Sequence, residues 1–401
     1  MSAPMSCRLL LATTLLAWSA AALALSPSVV PDASAGPRQA QPPATLKGAY
    51  AGAFRIGTAV NDDIVAGRDA RAQALVPLHF DAITAENVMK AEVLHPAPDT
   101  WDFAAADAFV DFGQRHGQFI VGHTLVWHNQ TPDWFFQDAA VAPLAADAMT
   151  ARLRDYVATV AGRYRGRVHA WDVVNEIVGE DGAYRDTVWT RALGDGDTVV
   201  REAFAAASRA APDAELYYND FNTWRPSKRA GIVRLVKMLQ DAGIRIDGIG
   251  MQAHWGLHYP SLEDIEASID AYAALGVKVM ITELDIDVLP LTREGQVIGT
   301  GLAHPQFQLE EFERYLDPYP DGLPADVERQ LAQRYAELFA LFHRKRDVID
   351  RITVWGVHDG MSWKNDYPVP NRTNYPLLFD RDRRPRPALD AVLAVPEMAT
   401  R

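Results

Sequence analysis

One cysteine, Cys7, occurs in 401 residues, and it precedes an apolar run at the N-terminus. Disulfides, a thiol nucleophile and cysteine-ligated zinc are therefore excluded for the processed chain. Basic runs are also missing. The net charge is −13, and residues 1–45 carry +1 of it, leaving −14 on the remainder. Such an acidic surface repels phosphate backbones, so no nucleic acid partner is expected, while neutral ligands such as sugars are not repelled. The one long apolar run lies between Leu9 and Leu25 and is about 17 residues, short of the roughly 20 that span a bilayer. Arg8 before it and Ala22-Leu23-Ala24 at its end fit an export signal over 1–24 that is cleaved between small residues. Export to the periplasm or the extracellular space follows, with no membrane attachment after cleavage. Residues 25–45, rich in Pro, Ala, Ser and Gln, cannot build a core and read as a linker. A single catalytic domain is expected over 46–395. Two further absences matter. No Gly-rich phosphate fingerprint follows the first strand-like run, which weighs against a doubly wound dinucleotide fold. No helix-like stretch carries two histidines one turn apart, which weighs against a metal hydrolase. The sequons at Asn129 and Asn371 read as chance matches.

At 48% hydrophobic and 23% charged residues, the rest is ordinary globular sequence. Eight short apolar runs stand out, at 54–59, 80–84, 119–127, 168–176, 214–220, 246–254, 278–286 and 352–358. Amphipathic stretches alternate with them, among them 151–164, 199–210, 228–242, 262–275 and 327–344. Strands joined by helical crossovers pair in parallel, and eight of them predict a closed (β/α)8 TIM barrel.

The strand ends carry the chemistry. Each run finishes in polar or aromatic residues: Asn61 with Asp62; Glu86 and Asn87 with Lys90; His123 with Trp127; Asn175 with Glu176; Tyr218 with Asp220; Gln252 with His254; Glu283 with Asp285; and Trp355 with His358. In a parallel barrel these ends share one mouth, where active sites form. Glu176 and Glu283 come from the fourth and seventh strands, on opposite sides of the ring. Two carboxylates across a cleft suit glycosidic cleavage: one protonates the leaving oxygen, and the other attacks the sugar carbon or activates water. The acid has to stay protonated, which calls for an apolar setting or a nearby negative charge. Glu283 and Asp285 lie two apart on a strand and face the same side. Like charges that close need a partner, and His254, ending the neighbouring strand, is placed to bond both. A core histidine is the plainer alternative. Trp127, Trp255, Trp355 and Trp363 gather near strand ends, where an indole offers a flat face to a sugar ring. Asn87, Lys90, Asn175 and Gln252 would bind hydroxyls. A metal reading would recruit His123, His128, His254 and His258, but strand parity separates the first two. No metal and no cofactor is expected.

These residues resemble glycoside hydrolase family 10, the β-1,4-xylanases. The matching stretches are Thr-Ala-Glu-Asn-Val-Met-Lys (84–90), Gly-His-Thr-Leu-Val-Trp-His (122–128), Trp-Asp-Val-Val-Asn-Glu (171–176) and Tyr-Tyr-Asn-Asp-Phe-Asn (217–222). Gly-Met-Gln-Ala-His (250–254), Ile-Thr-Glu-Leu-Asp (281–285) and Val-Trp-Gly-Val-His-Asp (354–359) with Ser362-Trp363 complete the set, in family order. The resemblance implies a TIM barrel and a retaining endo-β-1,4-xylanase acting on xylan and xylo-oligosaccharides. It implies Glu176 as acid/base, Glu283 as nucleophile and Asn175 on the 2-hydroxyl, with His254 and Asp285 in support. Glu86, Asn87, Lys90, His123, Trp127, Gln252, His254, Trp355 and Trp363 would line the non-reducing side, and Tyr218 would contact the leaving sugar. Trp355 and Trp363 would crowd the place where glucose carries its hydroxymethyl, favouring xylose. Ala91 departs from the family pattern, in which Trp or Pro is common there. The 289–325 segment is long and should wall one side of the cleft. Rival readings are a barrel glycosidase acting on glucan or mannan, a non-catalytic glycan-binding protein and a metal-dependent hydrolase. A monomer is expected.

Overall fold

The computed structural model describes residues 44–289, 316–367 and 370–399. The leader, nearly all of the linker and most of the 289–325 segment lie outside the described residues. Thr45 caps the first helix, Leu46–Ala49, by accepting from the Gly48 amide, and Leu46 is fully buried.

Nine strands follow: β1 (Arg55–Val60), β2 (Ala82–Ala85), β3 (Phe119–Val126), β4 (Ala170–Asn175), β5 (Glu215–Asp220), β6 (Gly248–Met251), β7 (His254–Gly256), β8 (Lys278–Asp287) and β9 (Ile349–Val354). All their pairings are parallel. The order runs from β6 back through β1 to β9 and β8, and β6 pairs with β8 to close the ring. The expected eight-stranded barrel is therefore borne out. Its sixth strand is split: β6 and β7 flank Gln252 and Ala253, and Ala253 has φ +66°. From the pair Met251–Ile281 to the pair His254–Asp285, the sixth strand advances three residues while β8 advances four. The last strand begins three residues earlier than the sequence suggested, at Ile349 rather than 352. Charged Asp350 and Arg351 hid its start. Arg351 is buried, its guanidinium lying over the rings of Phe119 and Tyr217, a favourable setting for a cation taken out of water.

Helices cover the outside of the ring. Gly196–Ala210 is representative: Asp195 accepts from the Thr198 amide at its start, and Val199, Val200, Ala203, Phe204, Ala206 and Ala207 are buried. Those positions form one helical face, packed on the strands. Inside the ring, Val121, Ala170, Tyr217 and Met280 pack together. Since side chains alternate along a strand, the inward residues above them reach the mouth.

Packing between β3 and β4 is tight. Gly122 sits opposite Trp171, and a methyl group on Gly122 would lie 2.3 Å from the indole. Gly122→Ala should cost about 1–3 kcal/mol. Urea unfolding at neutral pH checks this, and an unchanged midpoint would refute it.

Candidate active site

The strand ends enclose a cavity of about 360 Å³, within the range of small-molecule sites. Glu86, Asn87, Lys90, His123, Trp127, Asn175, Glu176, Gln252, His254, Glu283, Trp355 and Trp363 all line it. Twelve residues named from the sequence are thus gathered in one place.

Glu283 is held on both oxygens. Asn219 donates to Oε1 at 2.7 Å, and His254 Nε2 donates to Oε2 at 3.1 Å. The other imidazole nitrogen, Nδ1, donates to Asp285 Oδ2 at 3.0 Å, and the Trp363 indole adds a bond to that oxygen at 2.8 Å. Burial disfavours the imidazolium, but the two carboxylates outweigh it and push the His254 pKa up to about 9. Burial likewise works against the Asp285 anion; His254 and Lys364 prevail, keeping the carboxyl below its ordinary value. His254 is therefore a cation at neutral pH, with a carboxyl group bonded to each ring nitrogen.

Glu176 has φ +59°, a left-handed backbone unusual for a long side chain. Its Oε1 accepts from Gln252 at 2.9 Å and Asn175 at 3.3 Å, and its Oε2 accepts from Trp127 at 3.0 Å. Burial pushes its pKa up. The Gln252 and Trp127 bonds and the nearby His128 and Arg185 more than offset that, so the carboxyl lies below its usual value. This differs from the sequence argument, which wanted an acid kept protonated by its surroundings; the run around Glu176 gave no sign of the donors that converge on it. Two amides in series join the glutamates: the Asn219 nitrogen donates to Glu283 and, at 3.0 Å, to Asn175 Oδ1, and the Asn175 nitrogen donates to Glu176. Thr282 fixes the Asn219 amide by donating to its oxygen at 2.6 Å.

The sequence model of "Glycosyl hydrolase family 10" matches residues 45–395. The chain belongs to glycosyl hydrolase family 10. "Endo-1,4-beta-xylanase A" of Xylanibacter ruminicola is 39% identical over 358 residues, covering 89% of this chain and 95% of that protein. "Endo-1,4-beta-xylanase" of Geobacillus stearothermophilus is 40% identical over 355 residues, covering 88% and 98%. Among solved structures, a GH10 endoxylanase retrieved from a sugarcane soil metagenome superposes with a TM-score of 0.81 at 42% identity, covering 88% of this chain and 99% of that one. The resemblance drawn from seven short stretches is borne out.

On this family 10 barrel, three residues named from the sequence lie elsewhere, one of them Trp255, which is buried beside Phe342 and absent from the cavity wall. Asp285 is fully buried behind His254. Tyr218 is also fully buried and is absent from the cavity wall. Its neighbour Asn219 points inward to Glu283, so Tyr218 points outward toward the helices. Phe221, beyond the strand end, reaches the cavity instead, as do Asn129, Gln130 and Tyr367. Tyr367 stacks on Trp363 with ring centres 5.3 Å apart. Around the rest of the wall, Lys90 donates to Asn87 at 2.8 Å and lies 4.9 Å over the Trp127 ring. Burial draws its pKa down, against the pull of Glu283, Glu86 and Glu176, and burial raises that of Glu86. His123 is oriented by Asp172 at 2.9 Å. His128 faces a separate small pocket behind Trp127. Among the described residues, no group of three or more His, Cys, Asp and Glu is arranged to hold a metal ion.

His254 yields a stability signature. Its folded pKa lies above the ordinary 6.5, so its contribution is complete below about pH 6.5 and is lost as pH rises through about 9. Wild type should exceed His254→Asn in unfolding free energy at pH 6, and the gap should narrow by pH 10. A gap independent of pH in urea titrations would contradict this.

Proposed function

We propose that this chain is a retaining endo-β-1,4-xylanase, with Glu283 as nucleophile and Glu176 as acid/base. The observation that carries the reading is the setting of Glu283: a carboxylate held by Asn219 and His254, facing the same cavity as Glu176. The names of the relatives supply the substrate class. In the first step Glu283 bonds to the anomeric carbon, the glycosidic bond breaks, and Glu176 gives its proton to the leaving oxygen. In the second, Glu176 takes a proton from water, which attacks the same carbon and releases Glu283. Gln252 and Trp127 favour the Glu176 anion; a sugar that engages them removes those bonds and raises the acid's pKa toward its task.

Asn175 binds the 2-hydroxyl, while Glu86, Asn87, Lys90, His123 and Gln252 bind hydroxyls on the non-reducing side. Trp355 and Trp363, packed against His254 at 6.5 Å and 4.8 Å between ring centres, crowd the position of a hydroxymethyl and so favour xylose. Phe221 takes the part on the leaving side that the sequence gave to Tyr218. Residues 1–24 direct export, consistent with a polymeric substrate met outside the cell.

Release of reducing ends from xylan, with far less from cellulose or mannan, tests the substrate class; equal release would refute it. Glu283→Ala should abolish cleavage of every substrate. Glu176→Ala should lower kcat/KM on xylan by about 10²–10⁴-fold, and far less on an aryl xylobioside whose leaving group needs no proton. NMR of the first product should show the β anomer; the α anomer would rule out a retaining reaction.

A further inference from the structure

Tyr218 sits in a buried polar chain that the reaction does not use. Its hydroxyl accepts from the Val178 amide at 3.0 Å and donates to Asp220 Oδ2. Asp220 Oδ1 pairs with Lys228 at 2.8 Å, and both side chains are fully buried. The ammonium also lies 3.8 Å over the Phe221 ring. Burying an ion pair brings little stability by itself, and among the described residues the one backbone bond that the Tyr218 hydroxyl makes is to Val178. That amide lies two residues after Glu176, whose left-handed backbone is a costly conformation needing support from its surroundings. Further along the loop Glu180 pairs with Arg225 and Lys228 and Gly182 accepts from Arg234, but next to Glu176 itself the support comes from neighbouring positions on β5. The Glu176 amide donates to the Asn219 carbonyl at 2.9 Å, and the Val178 amide donates to Tyr218. Arg185 also holds the Ile177 and Val178 carbonyls, but it lies in the same loop and cannot fix that loop to the barrel.

We infer that Tyr218 is a positioning residue for Glu176: its hydroxyl anchors the following turn to β5 and thereby aims the carboxyl into the cavity. The inference rests on the acid/base reading of Glu176. Asp220, held by Lys228, fixes the hydroxyl so that its lone pair meets the Val178 amide. Loss of the anchor lets the turn relax and misplaces the proton donor while leaving the nucleophile and the sugar contacts intact.

Tyr218→Phe keeps the ring and removes the anchor. It should lower kcat/KM on xylan about 10- to 100-fold, the range expected for a displacement near 1 Å, with much less loss on an aryl xylobioside bearing a dinitrophenolate leaving group. An equal fall on both substrates, or no fall on either, overturns the inference. Glu176→Ala run alongside separates the two readings. If it shows the leaving-group split and Tyr218→Phe does not, only the anchor fails; if it shows no split, the acid/base assignment fails first. Should Tyr218→Phe not fold, hydrogen exchange in the wild type decides. A Val178 amide as protected as those of β5 supports the anchor, and one that exchanges at the rate of an open loop overturns it.

Discussion

Two carboxylates side by side on one strand, both out of water, require a positive charge between them. In this barrel His254 supplies it, bonded to Glu283 by one nitrogen and to Asp285 by the other. The imidazole is charged because the acids are there, and the charged imidazole in turn holds the Asp285 carboxyl below its ordinary value. Either acid alone with a neutral histidine would leave a buried charge poorly compensated. Trp363 bonds to Asp285 and packs against His254, so the aromatic wall of the cavity is tied to the same charge cluster. The aromatic wall and the setting of Glu283 therefore share one set of contacts.

The second glutamate is held differently. Among the described residues no formal cation bonds directly to Glu176; neutral amide and indole donors converge on it. Neutral donors are weaker than an ion pair and are also what a sugar hydroxyl would engage. A group that has to change protonation during a reaction gains from partners that can be drawn away. A group that has to remain an anion gains from a fixed cation. The two sets of partners match that division.

Much of this was legible in the sequence because barrels impose a simple code. Apolar runs of strand length, separated by amphipathic stretches, gave all eight strands, and the polar residues closing each run marked the mouth. Strand parity put Glu283 and Asp285 on one side, and His254, ending the neighbouring strand, was the candidate to bond both, with a core histidine as the alternative; the structure has it bonding both. The orientation of Tyr218 was legible too, since Asn219 beside it faces inward, but the polar ending of that run drew attention from the alternation. Phe221, Asn129, Gln130 and Tyr367 lie past strand ends, where no periodicity says which way a side chain turns. The split in the sixth strand was invisible because 246–254 reads as one β-prone run; only the backbone of Ala253 reveals the break. The donors around Glu176 come from separate strands, and only the closed ring shows that they meet.

The unequal advance of the sixth and seventh barrel strands, three residues against four, determines which acid lies level with the imidazole. Adding or deleting one residue between Met251 and His254 would rotate every side chain beyond it to the opposite face. The histidine would then leave the cluster, with no substitution anywhere. Loops beyond the rim can lengthen or shorten without moving the cluster, but this two-residue interval cannot. Among distant descendants of this chain, its length should outlast the identity of most residues around it.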